Sequence, residues 1–141
     1  MEITYEKKVN YYETDKMGVV HHANYIKYFE EGRVYFLDEI GLSYKQLEEM
    51  GIIMPVLSVE ASYKTSADFE DVLEVKTRLT KTSAAKAFFA YEIINKKTGQ
   101  TVCTGSSAHG ILNREFKPMN LKREFPEIYK RLSELSEGNE K

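Results

Sequence analysis

The sequence predicts an α+β domain in which one antiparallel sheet wraps around one long helix. Three observations carry that reading. The stretch Asn24 to Ile40 has helical spacing and an apolar surface too wide for a single neighbour. After it the hydrophobic period changes to two and recurs in successive runs. The length, 141 residues, suits one domain and is short for two. A sheet wrapped around the helix is an economical way to bury it.

The elements follow in order. Ile3 to Tyr11 places Ile3, Tyr5, Val9 and Tyr11 on one side of a strand, with Lys7 interrupting the alternation. A polar stretch, Glu13 to Gly18, turns the chain, and Gly18 supplies permissive backbone geometry. In the helix Asn24–Ile40, Asn24 is the expected N-cap and Gly41 the expected residue past the end. Ile26, Phe29, Phe36, Leu37 and Ile40 mark one face, and Tyr25, Tyr28 and Tyr35 extend it. Ser43 to Met50 reads as a short second helix, capped by Ser43 and ended by Gly51.

Leu57 to Lys64 and Leu73 to Leu79 alternate cleanly, and Phe89, Tyr91 and Ile93 continue the pattern. Lys96-Lys97-Thr98-Gly99 is a hairpin connection. Thr101 to Leu112 is the last strand, with Gly105 and Gly110 as bulge or close-approach points. Residues 120–141 form a charged tail of the same single domain. Pro126 opens a helix there with Ile128, Leu132 and Leu135 on one face, and Ser136 onward is expected to fray. One helix covers only one sheet face, so homo-oligomerisation is expected.

Composition excludes several functions. With 42% hydrophobic and 30% charged residues the chain can form a packed core, so global disorder is excluded. A net charge of -2 argues against a surface that coats nucleic acid. No apolar run is long enough to span a bilayer, and the first residues lack a basic-then-apolar leader, so a cytoplasmic location is expected. The single Cys103 excludes an internal disulfide and a multi-cysteine zinc cage.

The chemistry concentrates in Tyr11 to Tyr25, which carries an acid, a glycine turn, an apolar pair and two adjacent histidines before the long helix. A helix start presents unpaired N–H groups and partial positive charge. Such groups can hold a carbonyl oxygen that becomes an anion during reaction. Asp15 lies on the loop that enters the helix, so one loop can join a carboxylate to an oxyanion site. The alternative is a turn residue whose carboxylate bonds local N–H groups.

At these residues the chain resembles the hotdog-fold acyl-CoA thioesterases, in the branch of 4-hydroxybenzoyl-CoA thioesterase and the Tol–Pal-associated acyl-CoA thioesterases. Thr14-Asp15, Gly18-Val19-Val20, His22 and Tyr25 match the family signature at its spacing. The likeness continues through Asn24 to Arg33 and Glu70 to Val75, and ends near His109 to Pro118. Lys8 stands where the family often has Gln or Arg.

The resemblance implies a hotdog fold, hydrolysis of acyl-CoA, no cofactor, and a homodimer, often joined into a tetramer, with sites at the subunit boundary. It implies that Asp15 is the catalytic carboxylate, as nucleophile or general base. It implies that the backbone N–H near His22 polarises the thioester carbonyl, together with the N–H groups of Ala23 and Asn24. Tyr11, Gly18 and Tyr25 complete the expected substrate site, and Lys86 is the expected contact to the coenzyme A phosphates. The competing readings are a non-catalytic acyl-CoA-binding module and a hotdog dehydratase.

Other candidates carry less. Adjacent His21 and His22 point in different directions, so joint metal ligation with His109 is not expected. His109 reads as a packed, hydrogen-bonded strand residue, and Cys103 as a buried small hydrophobe. Ser106 and Ser107 lack the context of a serine-hydrolase elbow.

Overall fold

The structure, a computed structural model, describes residues 1–137. The chain begins with strand β1 (Glu2–Lys8), a single 3-10 turn (Tyr11–Glu13), the long helix α1 (Ala23–Glu39) and a short helix α2 (Tyr44–Glu49). Four strands follow: β2 (Val56–Tyr63), β3 (Val72–Thr82), β4 (Lys86–Asn95) and β5 (Thr101–Gly110). Helices α3 (Leu121–Glu124) and α4 (Pro126–Leu135) come last. The strands form one antiparallel sheet in the order β1-β3-β4-β5-β2, which leaves β1 and β2 as its edges.

Alternation in the central strands aims one set of side chains at α1. Leu73, Val75 and Leu79 of β3 and Phe89, Tyr91 and Ile93 of β4 are buried on the helix side. Phe29 stacks on Tyr91 with centroids 4.4 Å apart, and Phe36 meets Phe89 edge-on at 5.8 Å. Each large side chain buried this way contributes about 1.5–3 kcal/mol. The approach depends on a glycine from the sheet. A Cβ on Gly105 would lie 2.4 Å from both the Phe29 ring and the Glu60 carbonyl, so any larger residue would push the helix off β5. Gly110 has only ordinary contacts, 3.6 Å to Leu57, and is not a point of close approach.

This is the hotdog arrangement, with departures in detail. β1 stops at Lys8, three residues short of the expected end. Val9 buries itself, Asn10 begins the 3-10 turn, and Tyr11 leaves the strand for solvent. Lys7 lies on the inner side with Ile3 and Tyr5 because its ammonium pairs with the buried Glu13 at 3.4 Å. His22, not Asn24, occupies the N-cap position of α1. Asn24 is already helical, and its side-chain amide donates to the Glu13 carbonyl at 2.9 Å.

The far end of α1 closes as expected, with Gly41 at positive φ and the Leu42 N–H reaching back to the Leu37 carbonyl. Ser43 caps α2 reciprocally with Gln46. Strand β5 ends at Gly110 rather than Leu112, because Leu112 turns to bridge Ile53 and Pro118.

β2 alternates in sequence, yet along almost all of its length neither face is covered; Val56, Leu57, Val59 and Tyr63 are exposed on this edge strand. At the C-terminus, Ser136 and Glu137 are anchored rather than frayed. Ser136 shares a hydrogen bond with Thr82 at 2.9 Å, and Glu137 takes a two-oxygen contact from Arg78 at 3.0 Å. The rest of the expected frayed end, 138–141, lies outside the described residues. Among the described residues, no helix is long and apolar enough to cross a membrane.

Candidate active site

The loop between β1 and α1 is a small hairpin. Thr14 and Val20 form a bridge, the Asp15 N–H donates to the Val19 carbonyl at 2.9 Å, and the Gly18 N–H returns to the Asp15 carbonyl at 3.0 Å. Gly18 sits at φ +84°, which a residue with a Cβ would adopt only under strain. Val19 bridges Asp68, and the Val20 N–H donates to the Ala67 carbonyl, so the hairpin is tied to the segment that precedes β3. Asp15 is half-buried at the turn. Its Oδ1 accepts the Met17 N–H at 2.8 Å, the local bond of a turn aspartate, while Oδ2 makes no hydrogen bond among the described residues.

Beneath this hairpin lies a residue whose role the sequence reading missed. Glu13 is 5% exposed. Its Oε1 accepts from the Asn10 N–H at 2.8 Å and the Tyr28 hydroxyl at 2.9 Å, and Oε2 pairs with Lys7. Its carbonyl accepts the His21 N–H at 2.8 Å and the Asn24 amide. One residue therefore joins β1, the hairpin and the first turn of α1. Burial, with the adjacent Glu13 carboxylate, drives the Tyr28 phenol well above its usual range. An acid next to Thr14-Asp15 and just after an apolar strand was visible, but only the fold turns it inward.

The start of α1 is partly spent. The Asn24 N–H donates to the His21 carbonyl at 2.9 Å and the Tyr25 N–H to the His22 carbonyl at 3.1 Å. The Ala23 N–H makes a long contact, 3.4 Å, to His21 Nδ1. The His22 N–H makes no hydrogen bond among the described residues. Of the three groups expected to face a carbonyl, His22 is thus the freest, and the helix dipole adds to it.

The His22 ring is exposed and meets Tyr63 edge-on at 5.8 Å. Val20, His22, Tyr25, Tyr63, Lys64 and Thr65 line a cavity of about 260 Å³ beside the helix start. Tyr25 itself is buried, which pushes its phenol up to about 12. Tyr63 and Lys64 were not singled out from sequence, because a strand alternation says nothing about which helix end it faces.

Two expected site residues stand apart. Tyr11 is 75% exposed and packs edge-on against Phe69 at 5.5 Å, outside the cavity. Lys86 opens β4 at the turn where the Ser83 hydroxyl accepts its N–H at 3.1 Å. The Asp15 hairpin is tied to the other end of β3, an 11-residue strand, which is roughly 30 Å away. Within one chain the structure does not bring Lys86 to Asp15. His109 and Cys103 are fully buried as expected. His109 Nε2 bonds the Ser107 hydroxyl at 2.8 Å, and burial pushes the Cys103 thiol up to about 11.

The chain as a whole is similar to known proteins. A crystal structure of DHNA-CoA thioesterase from Staphylococcus aureus matches with a TM-score of 0.88 and 36% identity, covering 94% of this chain and 89% of that one. YneP of Bacillus subtilis, named as a candidate acyl-CoA thioesterase, is 32% identical across 86% of this chain and 88% of its own. The acyl-CoA thioester hydrolase YbgC of Escherichia coli is 30% identical over 62% of this chain and 66% of its own. The model of the thioesterase-like superfamily matches residues 9–132, from the end of β1 into α4, and the chain belongs to that superfamily.

Proposed function

We propose that this chain hydrolyses acyl-CoA thioesters to a free acid and coenzyme A. The observation that carries the reading is the Thr14–Val20 hairpin. It holds a half-buried carboxylate on the same short loop that ends at the α1 start, and among the described residues one carboxylate oxygen and the His22 N–H make no hydrogen bond. The thioester carbonyl oxygen accepts from the His22 N–H, and the helix dipole stabilises the negative charge that develops there. Asp15 attacks the carbonyl carbon, giving a mixed anhydride that water then hydrolyses, or it removes a proton from a water that attacks directly; in either route the C–S bond breaks and coenzyme A leaves as a thiolate. A thioester has weak resonance, so a lone carboxylate suffices without a serine–histidine pair.

The names of the relatives support the substrate class, since those proteins are described as acting on acyl-CoA or DHNA-CoA. The site is completed by a second copy of the chain. Edge strand β2 exposes Val56, Leu57, Val59 and Tyr63 together with its unpaired backbone groups, and Tyr63 also lines the His22 cavity. Lys86 serves the coenzyme only from such a second copy.

The bond from the Met17 N–H to Asp15 favours a second reading, in which Asp15 is only a turn residue of a non-catalytic acyl-CoA-binding module. The two separate in a turnover assay with a panel of acyl-CoA esters and detection of free thiol. Replacing Asp15 with Ala is expected to lower kcat by about 10²–10⁴. Turnover near the wild-type value removes Asp15 from the chemistry.

A further inference from the structure

The start of α1 is bound to the Asp15 hairpin through one carbonyl. The Glu13 carbonyl accepts the His21 N–H at 2.8 Å and the Asn24 side-chain amide at 2.9 Å. A carbonyl oxygen has two lone pairs, and here both are used. The first bond closes the hairpin: together with the bond from the Asp15 N–H to the Val19 carbonyl, it flanks the Thr14–Val20 bridge. The second bond comes from the first turn of α1. Glu13 is held from the other side by Asn10, whose carbonyl accepts the Glu13 N–H at 2.9 Å and whose N–H donates to Oε1.

Asp15 stands two residues after Glu13, and His22 one residue after His21. The attacking carboxylate and the oxyanion donor of the reading above are thus close chain neighbours of the groups that meet at this carbonyl. A second tether lies one turn along α1. Tyr28, four residues from Asn24 on the same stripe, donates to the Glu13 carboxylate at 2.9 Å. The two tethers hold different things. Tyr28 grips the end of a side chain, which turns about its own bonds. Asn24 grips the main chain that leads directly to Asp15.

Nothing else in the structure accounts for an asparagine here. Its N–H already donates to the His21 carbonyl at 2.9 Å, which takes it away from a thioester oxygen. It is not the N-cap, a position that His22 holds. Within a helix asparagine is a poorer former than alanine. Among the described residues the half-buried side chain makes one hydrogen bond, and that bond leaves the helix for the hairpin.

We propose that Asn24 is a positioning residue whose side-chain amide sets the separation between the Asp15 carboxylate and the His22 N–H. It acts through these two groups and does not touch the substrate. The inference rests on the hydrolase reading above. Catalysis is sensitive to such a separation, because a misplacement of about 1 Å can cost about 10²-fold in rate.

The test is thiol release from acyl-CoA esters by the full chain, in steady state and with enzyme in excess, with a melting curve for each variant. Asn24→Ala is expected to lower kcat by about 10- to 100-fold and to leave KM within about threefold. Its Tm is expected within about 3 °C of wild type, because the better helix propensity of alanine offsets much of the lost bond. Tyr28→Phe is expected to show the opposite pattern, with kcat within about threefold and Tm lower by about 5 °C. In the Asp15→Asn background, Asn24→Ala is expected to change the enzyme-excess rate by less than about threefold, since no carboxylate remains to be placed. An equal loss in both backgrounds would overturn the inference. So would a kcat for Asn24→Ala within about twofold of wild type, or a Tm loss in it as large as that of Tyr28→Phe. Where the Asp15→Asn rate is too slow to read, the split between kcat and KM and the contrast with Tyr28→Phe decide. If wild type hydrolyses no ester, the hydrolase reading fails separately, and amide hydrogen exchange still tests the tie. Asn24→Ala is then expected to speed exchange of the His21 and Asp15 N–H groups by at least about fivefold, and unchanged exchange overturns the inference.

Discussion

Replacing Glu13 with Ala tests how the hairpin and helix are held together. The substitution removes the acceptor of the Asn10 N–H and the Tyr28 hydroxyl and the principal partner of Lys7. Breaking a buried ion pair from one side costs about 3–5 kcal/mol. Stranding the fully buried Tyr28 hydroxyl adds to this, at about 1–3 kcal/mol for such a group. Glu31, whose Oε1 lies 3.9 Å from the same Lys7 ammonium, offsets part of the loss. The contributions overlap, so the expected destabilisation is about 3–4 kcal/mol, or roughly 10 °C in Tm for a domain of this size. Glu13→Gln keeps an acceptor and is expected to lose only about 1–2 kcal/mol. Urea unfolding at neutral pH reads both variants. If Glu13→Ala lies within about 1 kcal/mol of wild type, Glu13 is not the buried tie described here.

Three further outcomes follow from the structure. Burial and the nearby Arg33 cation hold the His109 imidazole down at about 4, so the folded chain takes up its proton later than the unfolded chain. The associated stability, about 3 kcal/mol, is present in full above about pH 6.5 and is lost as pH falls toward 4. His109→Gln should flatten that part of the pH dependence in urea titrations at pH 7 and pH 5, and an unchanged slope would contradict the assignment. Gly105→Ala should destabilise the fold by about 1–3 kcal/mol or more through the clash with Phe29 and the Glu60 carbonyl, read as a lowered Tm, and a wild-type melting curve would refute the close approach. Val59→Lys on the edge strand should shift sedimentation toward monomer and lower turnover together; a fully active wild-type monomer would remove the second copy from the site.

The elements with strong periodicity were legible. α1, β3 and β4 lie where their apolar spacing puts them, and Ser43, Gly41 and Gly51 end or cap helices as their chemistry dictates. What failed depended on partners distant in sequence. Lys7 looked like a break in a strand because its partner, Glu13, is brought near only by the 3-10 turn. Asn24 looked like a cap because its type is right, yet its amide serves the Glu13 carbonyl instead. The Asp15 hairpin and the helix start were readable as a unit because they are adjacent in the chain. Tyr63 and Lys64 were not, since strand pairing and helix docking alone bring them to the site. Lys86 is a further case: within one chain the topology carries it to the end of β3 away from the Asp15 hairpin, which residue type alone does not reveal.

The most direct measurement is the initial rate of thiol release from acyl-CoA esters by wild type and Asp15→Asn. Asparagine retains an oxygen that can accept the Met17 N–H, so the turn survives while the negative charge disappears. The expected result is ready turnover by wild type, and a kcat lowered at least about a hundredfold in a variant with an unchanged melting temperature. Equal rates from the two proteins would contradict the central claim.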